Sequence, residues 1–451
     1  MKRLLAGLAA SLLLAAQPAV AQSILRDAET EAMFNDMSLP LIKAAGLSPA
    51  AVKVVLINDD SINAFTAGGQ TIYVHSGLIQ AADNANQVQG VIAHELGHVA
   101  DGHVVLMDGG AKPAMGISIL SMVLGVAAIA AGAPEAGAGI LSAGTSAAQG
   151  KFLAYTRVQE STADATGAKF LRESAVSGKG MLTFFKKLQN EEYAYGLNNI
   201  DPFAQSHPLS GERIANLTAD VQASPAYNAK PDPGLEERFK RVRAKLMGYV
   251  ADPKTTLNAY PEQDQTIYAH YARAYAWHKS GYPDKADAEA NALIKAAPHD
   301  PYFLEIQGQI LLEAGKPREA LGPLREATDL SRNSPLIATT FGHALIATED
   351  KANCPEAIKV LRQSVSRDDD NPFAWYQLGT VYEASGDQTR ALLATAEQAS
   401  LTGDQRTAAY SARGAMAGLP PNSTDWIRAQ DIAMAAQNEM SDNPKKYKKR
   451  R

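Results

Sequence analysis

Cysteine is almost missing from this chain: Cys354 is the only one in 451 residues. No disulfide can therefore close within it, and its stability has to come from buried apolar surface and from any bound metal. The same scarcity excludes a lipid-modified cysteine behind the apolar run at residues 4–16. A basic surplus is missing too. The formal net charge is −5, which gives no electrostatic footprint for nucleic acid; only the tail at 444–451 is strongly basic, either a solvated end or a patch for an anionic envelope surface. Charge of either sign is absent from Ala114 to Ala133.

Against that background one stretch stands out, Val91-Ile-Ala-His-Glu-Leu-Gly-His98. Helical positions four apart differ by about 40° of rotation, so His94 and His98 leave one face together and form a metal-chelating pair. Glu95 sits about 100° round from His94, close enough to bond to a water beside the metal without being a ligand, which suits a general base. Val91, Ile92, Leu96 and Val99 make this a buried helix, where an unpaired histidine pair is costly to desolvate and a metal removes the cost. A zinc hydrolase is expected, with one Zn(2+) per chain.

Catalytic zinc usually takes three protein ligands and a water, so a further His, Asp or Glu is needed. Glu160 and Asp164 lie four apart on a second helix. Glu160 is the better ligand candidate, and Asp164 is placed to accept the outer N–H of a ligand histidine. Asp101 and His103, farther along the first helix, are read as non-catalytic, with His103 pointing away.

His94-Glu95-Leu-Gly-His98, followed about sixty residues later by Arg157-x-x-Glu160-x-x-x-Asp164, resembles the gluzincin metallopeptidases, the group that includes the CAAX prenyl protease. The layout is most similar to its soluble periplasmic members with added tetratricopeptide repeats. That resemblance implies Glu160 as third zinc ligand and Asp164 as its support. It also implies substrate-facing roles for Asn63, Ala64 and Phe65 on an edge strand. His207-Pro-x-x-x-x-Arg213 is similar to a short motif of the same family. His207 is expected either to bind the metal at rest or to donate to the developing oxyanion; capping or a surface turn is the plainer reading. Arg213 is expected to hold substrate backbone or a carboxylate, or else to form a structural ion pair.

Residues 1–21, with a basic start, an apolar run and Ala19-Val-Ala21, read as a signal peptide. Residues 22–224 are expected to be the metallopeptidase domain. Within it, 23–50 reads as helix broken at Pro40, 51–57 as a strand, and Ile62–Thr66 with Thr71–Val74 as a hairpin around Ala67-Gly-Gly-Gln70. The apolar stretch 114–148 is expected to form a helical hairpin that covers the active site or touches the membrane surface, with spanning as the alternative. Residues 225–264 are linker and connecting helix. From 265 to 443 the prolines Pro301, Pro335 and Pro372 and the alanines Ala286, Ala320, Ala357 and Ala391 recur at 34 to 37 residues, which means tetratricopeptide repeats, four of them and then an irregular cap.

The fold class expected is therefore mainly α with a small β-hairpin or sheet, a zincin-like domain followed by an α-solenoid. Solenoids present concave walls that bind peptide or protein, so the repeats recruit partners, unless they merely occlude the cleft. The resemblance implies an endopeptidase of the bacterial periplasm that degrades misassembled or stalled outer-membrane proteins. Its partners would be those proteins and their assembly machinery, with peripheral membrane contact and no nucleic acid. The alternative is a chaperone-like scaffold with a latent protease site.

Overall fold

The computed structural model describes residues 23–130, 134–195 and 206–442; the expected signal peptide and basic tail lie outside them. The chain divides into two compact units. One holds residues 30–243 with the strand before Arg26; the other holds Asp27–Glu29 and the chain from Ala244 on.

The first unit opens with strand β1 (Ser23–Leu25) and helix α1 (Ala28–Ala44). Both depart from expectation. Residues 23–25 are not helical, because they pair antiparallel with β2 (Lys53–Asn58), Ile24 opposite Ile57. Pro40 does not break α1: Leu41 and Ile42, 0 and 3% exposed, anchor the last turn in the core, and that burial outweighs the one backbone bond a proline removes. The strands β3 (Ala64–Ala67) and β4 (Thr71–His75) form the expected hairpin. β4 also pairs in parallel with β2, giving the order β1-β2-β4-β3, which leaves β3 as an edge.

After a short helix α2 (Ser76–Ala81) come α3 (Ala85–Ala100), α4 (His103–Ala130) and α5 (Pro134–Glu173). Asn84 caps α3, accepting a hydrogen bond from Gln87 N, and all of Val91 to His98 is buried. Two glycines let α3 and α5 approach closely. A Cβ on Gly97 would stand 2.7 Å from Ala163 O, and one on Gly167 2.8 Å from Ala93 O. The helices α4 and α5 form the apolar hairpin. Among the described residues no helix is long and apolar enough to cross a membrane. α6 (Lys179–Tyr195) and α7 (Gly211–Ala223) complete the site, and α8 (Pro233–Val250) follows.

The second unit is an α-solenoid of tetratricopeptide type. α9 (Pro253–Ala259) precedes the pairs α10/α11 (Ile267–Lys279, Pro283–Ala296), α12/α13 (Pro301–Glu313, Pro317–Leu330), α14/α15 (Pro335–Ala347, Cys354–Arg367) and α16/α17 (Pro372–Ala384, Gln388–Leu401). The added residues of the third pair form a 3-10 turn, Lys351–Asn353, behind Glu349 at φ 58°. The expected irregular cap is instead a fifth pair, α18/α19 (Gln405–Gly418, Thr424–Asp442). Its core is mostly alanine, with Ala408, Ala412 and Ala415 each fully buried, so it lacks the bulky apolar pattern by which sequence announces a helix.

Candidate metal centre

The centre forms where α3 crosses α5. Nε2 of His94 lies 3.2 Å from Nε2 of His98 and 3.4 Å from Oε2 of Glu160, while His98 Nε2 lies 3.4 Å from Glu160 Oε1. His207, in the turn before α7, brings Nδ1 to 3.3 Å from His94 Nε2 and 2.9 Å from Glu160 Oε2. Ligand atoms of these four buried residues all lie within 4.8 Å of one another.

Around them is a second ring of contacts. Asp164 Oδ1 is 2.9 Å from His94 Nδ1. Arg213 grips Asp164 with both arms of its guanidinium, Nε donating to Oδ2 at 2.7 Å and Nη2 to Oδ1 at 2.9 Å. Nη1 reaches Glu160 Oε2 at 3.1 Å and donates to the Pro208 carbonyl at 2.8 Å. One buried side chain thus pins Glu160, Asp164 and the turn that carries His207. Ser210 caps α7 by accepting from Arg213 N, which fixes the start of the helix that presents the guanidinium.

Burial acts to lower the His94 pKa, but the Asp164 and Glu160 carboxylates outweigh it and raise the imidazole to about 9. His98 is pushed down to about 2, by burial first and then by its cationic neighbour His94. Glu160 is held well below the usual carboxylate range: burial opposes this, and His207 and His94 overcome it. Glu160 is therefore ionised and available to a cation.

Geometry and donor chemistry both fit a metal ion. A tetrahedron with ligand distances of about 2.0–2.1 Å has edges of about 3.4 Å; the His94, His98, Glu160 and His207 pairs given above lie 2.9 to 3.4 Å apart, within a cluster 4.8 Å across. Imidazole nitrogens facing one another leave a lone pair unsatisfied, which a metal ion resolves. Glu95 stands beside this cluster. Its Oε2 accepts from Thr66 Oγ1 at 3.0 Å, and its buried Oε1 has no hydrogen-bond partner, 3.4 Å from His207 Nε2. A carboxylate oxygen so placed can take a proton.

His94, Glu95, His98, Glu160, Asp164 and His207 are thus gathered in one site. Asn63, Ala64 and Phe65 lie at the start of edge strand β3. Ala64 is fully buried, so it offers only backbone, and Phe65 stacks on Tyr73 at 5.1 Å. Arg213, expected to contact substrate, is 3% exposed and engaged with Asp164, Glu160 and Pro208. It is a structural ion pair. His103, expected to point away, instead lies with Nδ1 2.9 Å from His98 Nδ1. The expectation assumed one unbroken helix, whereas Gly102, at φ 69°, ends α3 and redirects the chain. Asp101 accepts from Thr166 Oγ1. Thr66 was missed as a partner of Glu95; no local spacing signals a contact 29 residues away.

Residues 25–221 match the model of Peptidase family M48. The beta-barrel assembly-enhancing protease of Escherichia coli (strain K12) is 25% identical over 380 residues, 82% of this chain and 75% of that protein. Its counterpart in Yersinia pestis is 23% identical over 427 residues, 92% of this chain and 85% of that one. Metalloprotease LoiP of Escherichia coli (strain K12) is 33% identical over 178 residues, 39% of this chain and 64% of its own length. Two solved structures, the TPR protein YrrB and MamA, match at 20% identity with TM-scores of 0.33 and 0.31, over 39 and 41% of this chain and 91 and 97% of theirs.

Proposed function

We propose that the chain, a metallopeptidase with its family M48 domain in residues 25–221, is a zinc-dependent endopeptidase of the bacterial periplasm. Its substrates are then misassembled or stalled outer-membrane proteins, delivered by its repeats. The similarity to beta-barrel assembly-enhancing proteases supports the outer-membrane setting, and the apolar run at residues 4–16 supports export. The observation that carries the catalytic part is the convergence of His94, His98 and Glu160 beside a buried Glu95 oxygen that accepts no hydrogen bond.

His94, His98 and Glu160 would hold the zinc ion, and a mixed nitrogen and oxygen donor set at these separations suits it. Bound there, zinc supplies Lewis acidity, polarising a peptide carbonyl and acidifying a nearby water. Glu95 takes the proton of the attacking water and returns it to the leaving amine. Asp164 orients His94, and Arg213 orients Asp164. Substrate adds as a strand along the β3 edge at Asn63, Ala64 and Phe65; the Asn63 carbonyl is taken by His75 N inside the sheet, so in the alternation of an antiparallel pair it is Ala64 whose main chain faces the open edge.

In this conformation His207 would hold the ion together with His94, His98 and Glu160, whereas catalytic zinc sites keep one position open for water. The turn at Pro208 must therefore withdraw before water and substrate enter. His207, whose Nε2 lies 3.4 Å from Glu95 Oε1, is then the candidate donor to the oxyanion.

The test compares wild type with Glu95→Gln for zinc content and for cleavage of unfolded casein. Zinc should stay at one per chain while cleavage falls by about 10²- to 10⁴-fold, the range for a lost general base. Undiminished cleavage would remove Glu95 from the mechanism. Full support of outer-membrane protein assembly by the Glu95→Gln form would favour a scaffold with a latent site, the second reading, which the repeats favour.

A further inference from the structure

The hairpin of α4 and α5 is packed in a way that water does not favour. Six large apolar side chains of α4, Met115, Ile119, Leu120, Met122, Val123 and Leu124, are each more than half exposed. At 100° per residue they cover about 200° of the helix circumference. The remaining side faces α5 and is built of small residues. A Cβ on Gly144 would stand 1.8 Å from Ser121 Oγ, and one on Gly125 2.6 Å from Leu141 Cγ and 3.0 Å from Gly137 O. A hairpin folded in water puts its large apolar residues between the helices. Here they face out, and the small ones allow close approach, the arrangement helices adopt where the surroundings are themselves apolar.

The second helix is mixed, exposing Ile140, Leu153 and Val158 beside a polar strip. Ser142, Thr145, Ser146 and Gln149 are exposed on α5, as is Glu135 in its first turn. Lys151 and Arg157, both exposed, are the only charges between residues 136 and 159, so the root of the arm is basic. One helix is apolar over more than half its circumference, its neighbour carries a polar strip of Ser142, Thr145, Ser146 and Gln149 among exposed alanines and Ile140, and positive charge marks the place where the arm meets the body.

We propose that this arm lies in the plane of an anionic lipid surface, with α4 sunk among the acyl chains, α5 at the level of the headgroups, and Lys151 and Arg157 against their phosphates. A partner helix or a protein groove covers a stripe of about 100°; an arc twice as wide calls for a fluid apolar phase. The arm enters the bilayer without crossing it; among the described residues no helix is long and apolar enough to span. Glu160 lies nine residues beyond Lys151 on the same helix, about 14 Å along its axis, so docking holds the metal centre close above the membrane surface. The substrate segments within reach are those just emerging from lipid.

The inference stands apart from the peptidase reading, since binding is measured without proteolysis. The full chain is floated with vesicles of phosphatidylethanolamine and phosphatidylglycerol. Wild type should rise with the vesicles, and phosphatidylcholine alone should weaken its partition on the order of tenfold, for loss of the lipid charge that the two basic residues meet. A variant carrying Leu120→Gln, Val123→Gln and Leu124→Gln should partition at least about 100-fold less well, with zinc content and circular dichroism unchanged because these side chains are exposed. Leu124→Trp should be quenched by brominated lipid. Wild type that stays at the bottom of the gradient overturns the proposal, as does a triple variant that floats equally well. Wild type that self-associates in solution, through an interface the triple variant breaks, and ignores vesicles would assign the face to a second copy instead.

Discussion

Arg213 shows how a residue can govern a site without touching substrate. Its guanidinium meets two buried carboxylates and a carbonyl, so removing it leaves Asp164 and Glu160 uncompensated inside the protein. Arg213→Ala should cost about 3–5 kcal/mol, the penalty for breaking a buried ion pair from one side. Urea unfolding measures this, and a loss under 1 kcal/mol would show the contacts to be unimportant. His75 offers a second case. It is 2% exposed, its Nδ1 lies 3.0 Å from Ser61 Oγ, and burial, only partly offset by Asp59, lowers its pKa. The unfolded chain therefore binds the proton more readily, so this histidine lowers stability as the pH falls below about 6.5, by up to about 1.4 kcal/mol per pH unit. His75→Gln should flatten that acid-side decline relative to wild type. An unchanged slope would place the titration elsewhere.

Among the elements, the crossing of α3 and α5 decides whether the site exists. Gly97→Ala would drive a methyl group against the backbone of Ala163, one turn from Glu160, at a cost of about 1–3 kcal/mol. Zinc affinity should fall at least about tenfold as Glu160 moves off the cluster, and titration against a chelating dye reads it. Unaltered affinity would mean that the helices have slack. What was legible in the sequence follows the same line. The spacings His94 to His98 and Glu160 to Asp164 lie within single helical turns, where geometry is local, and both sets converge in the fold. Contacts made across the chain were not legible. The His103 contact depends on one left-handed residue, Gly102. The Thr66 contact depends on how β3 lies over α3, and the role of Arg213 on a partner 49 residues away. The strand at Ser23 escaped notice because three residues are too few to show a period.

At the scale of the whole molecule, the two units answer to different forces. Metal can stabilise only the unit that holds the ligands, by about 4 kcal/mol at a thousand-fold excess over its dissociation constant. All three tryptophans, Trp277, Trp375 and Trp426, belong to the repeat unit. Stripping the metal with a chelator should therefore lower one thermal transition seen by circular dichroism and leave the unfolding followed by tryptophan fluorescence in place. Equal shifts in both signals would show that the units melt as one body.

The forty residues of α5 make a rod of about 60 Å. It begins in the arm and runs on through Glu160 and Asp164. Such a rod neither stretches nor bends cheaply, so a twist applied at its far end arrives at the carboxylates as a change of aim. Turned by a single residue's pitch, Glu160 would look past its histidines, which makes the orientation of the arm a tuning screw for the chemistry at the other end.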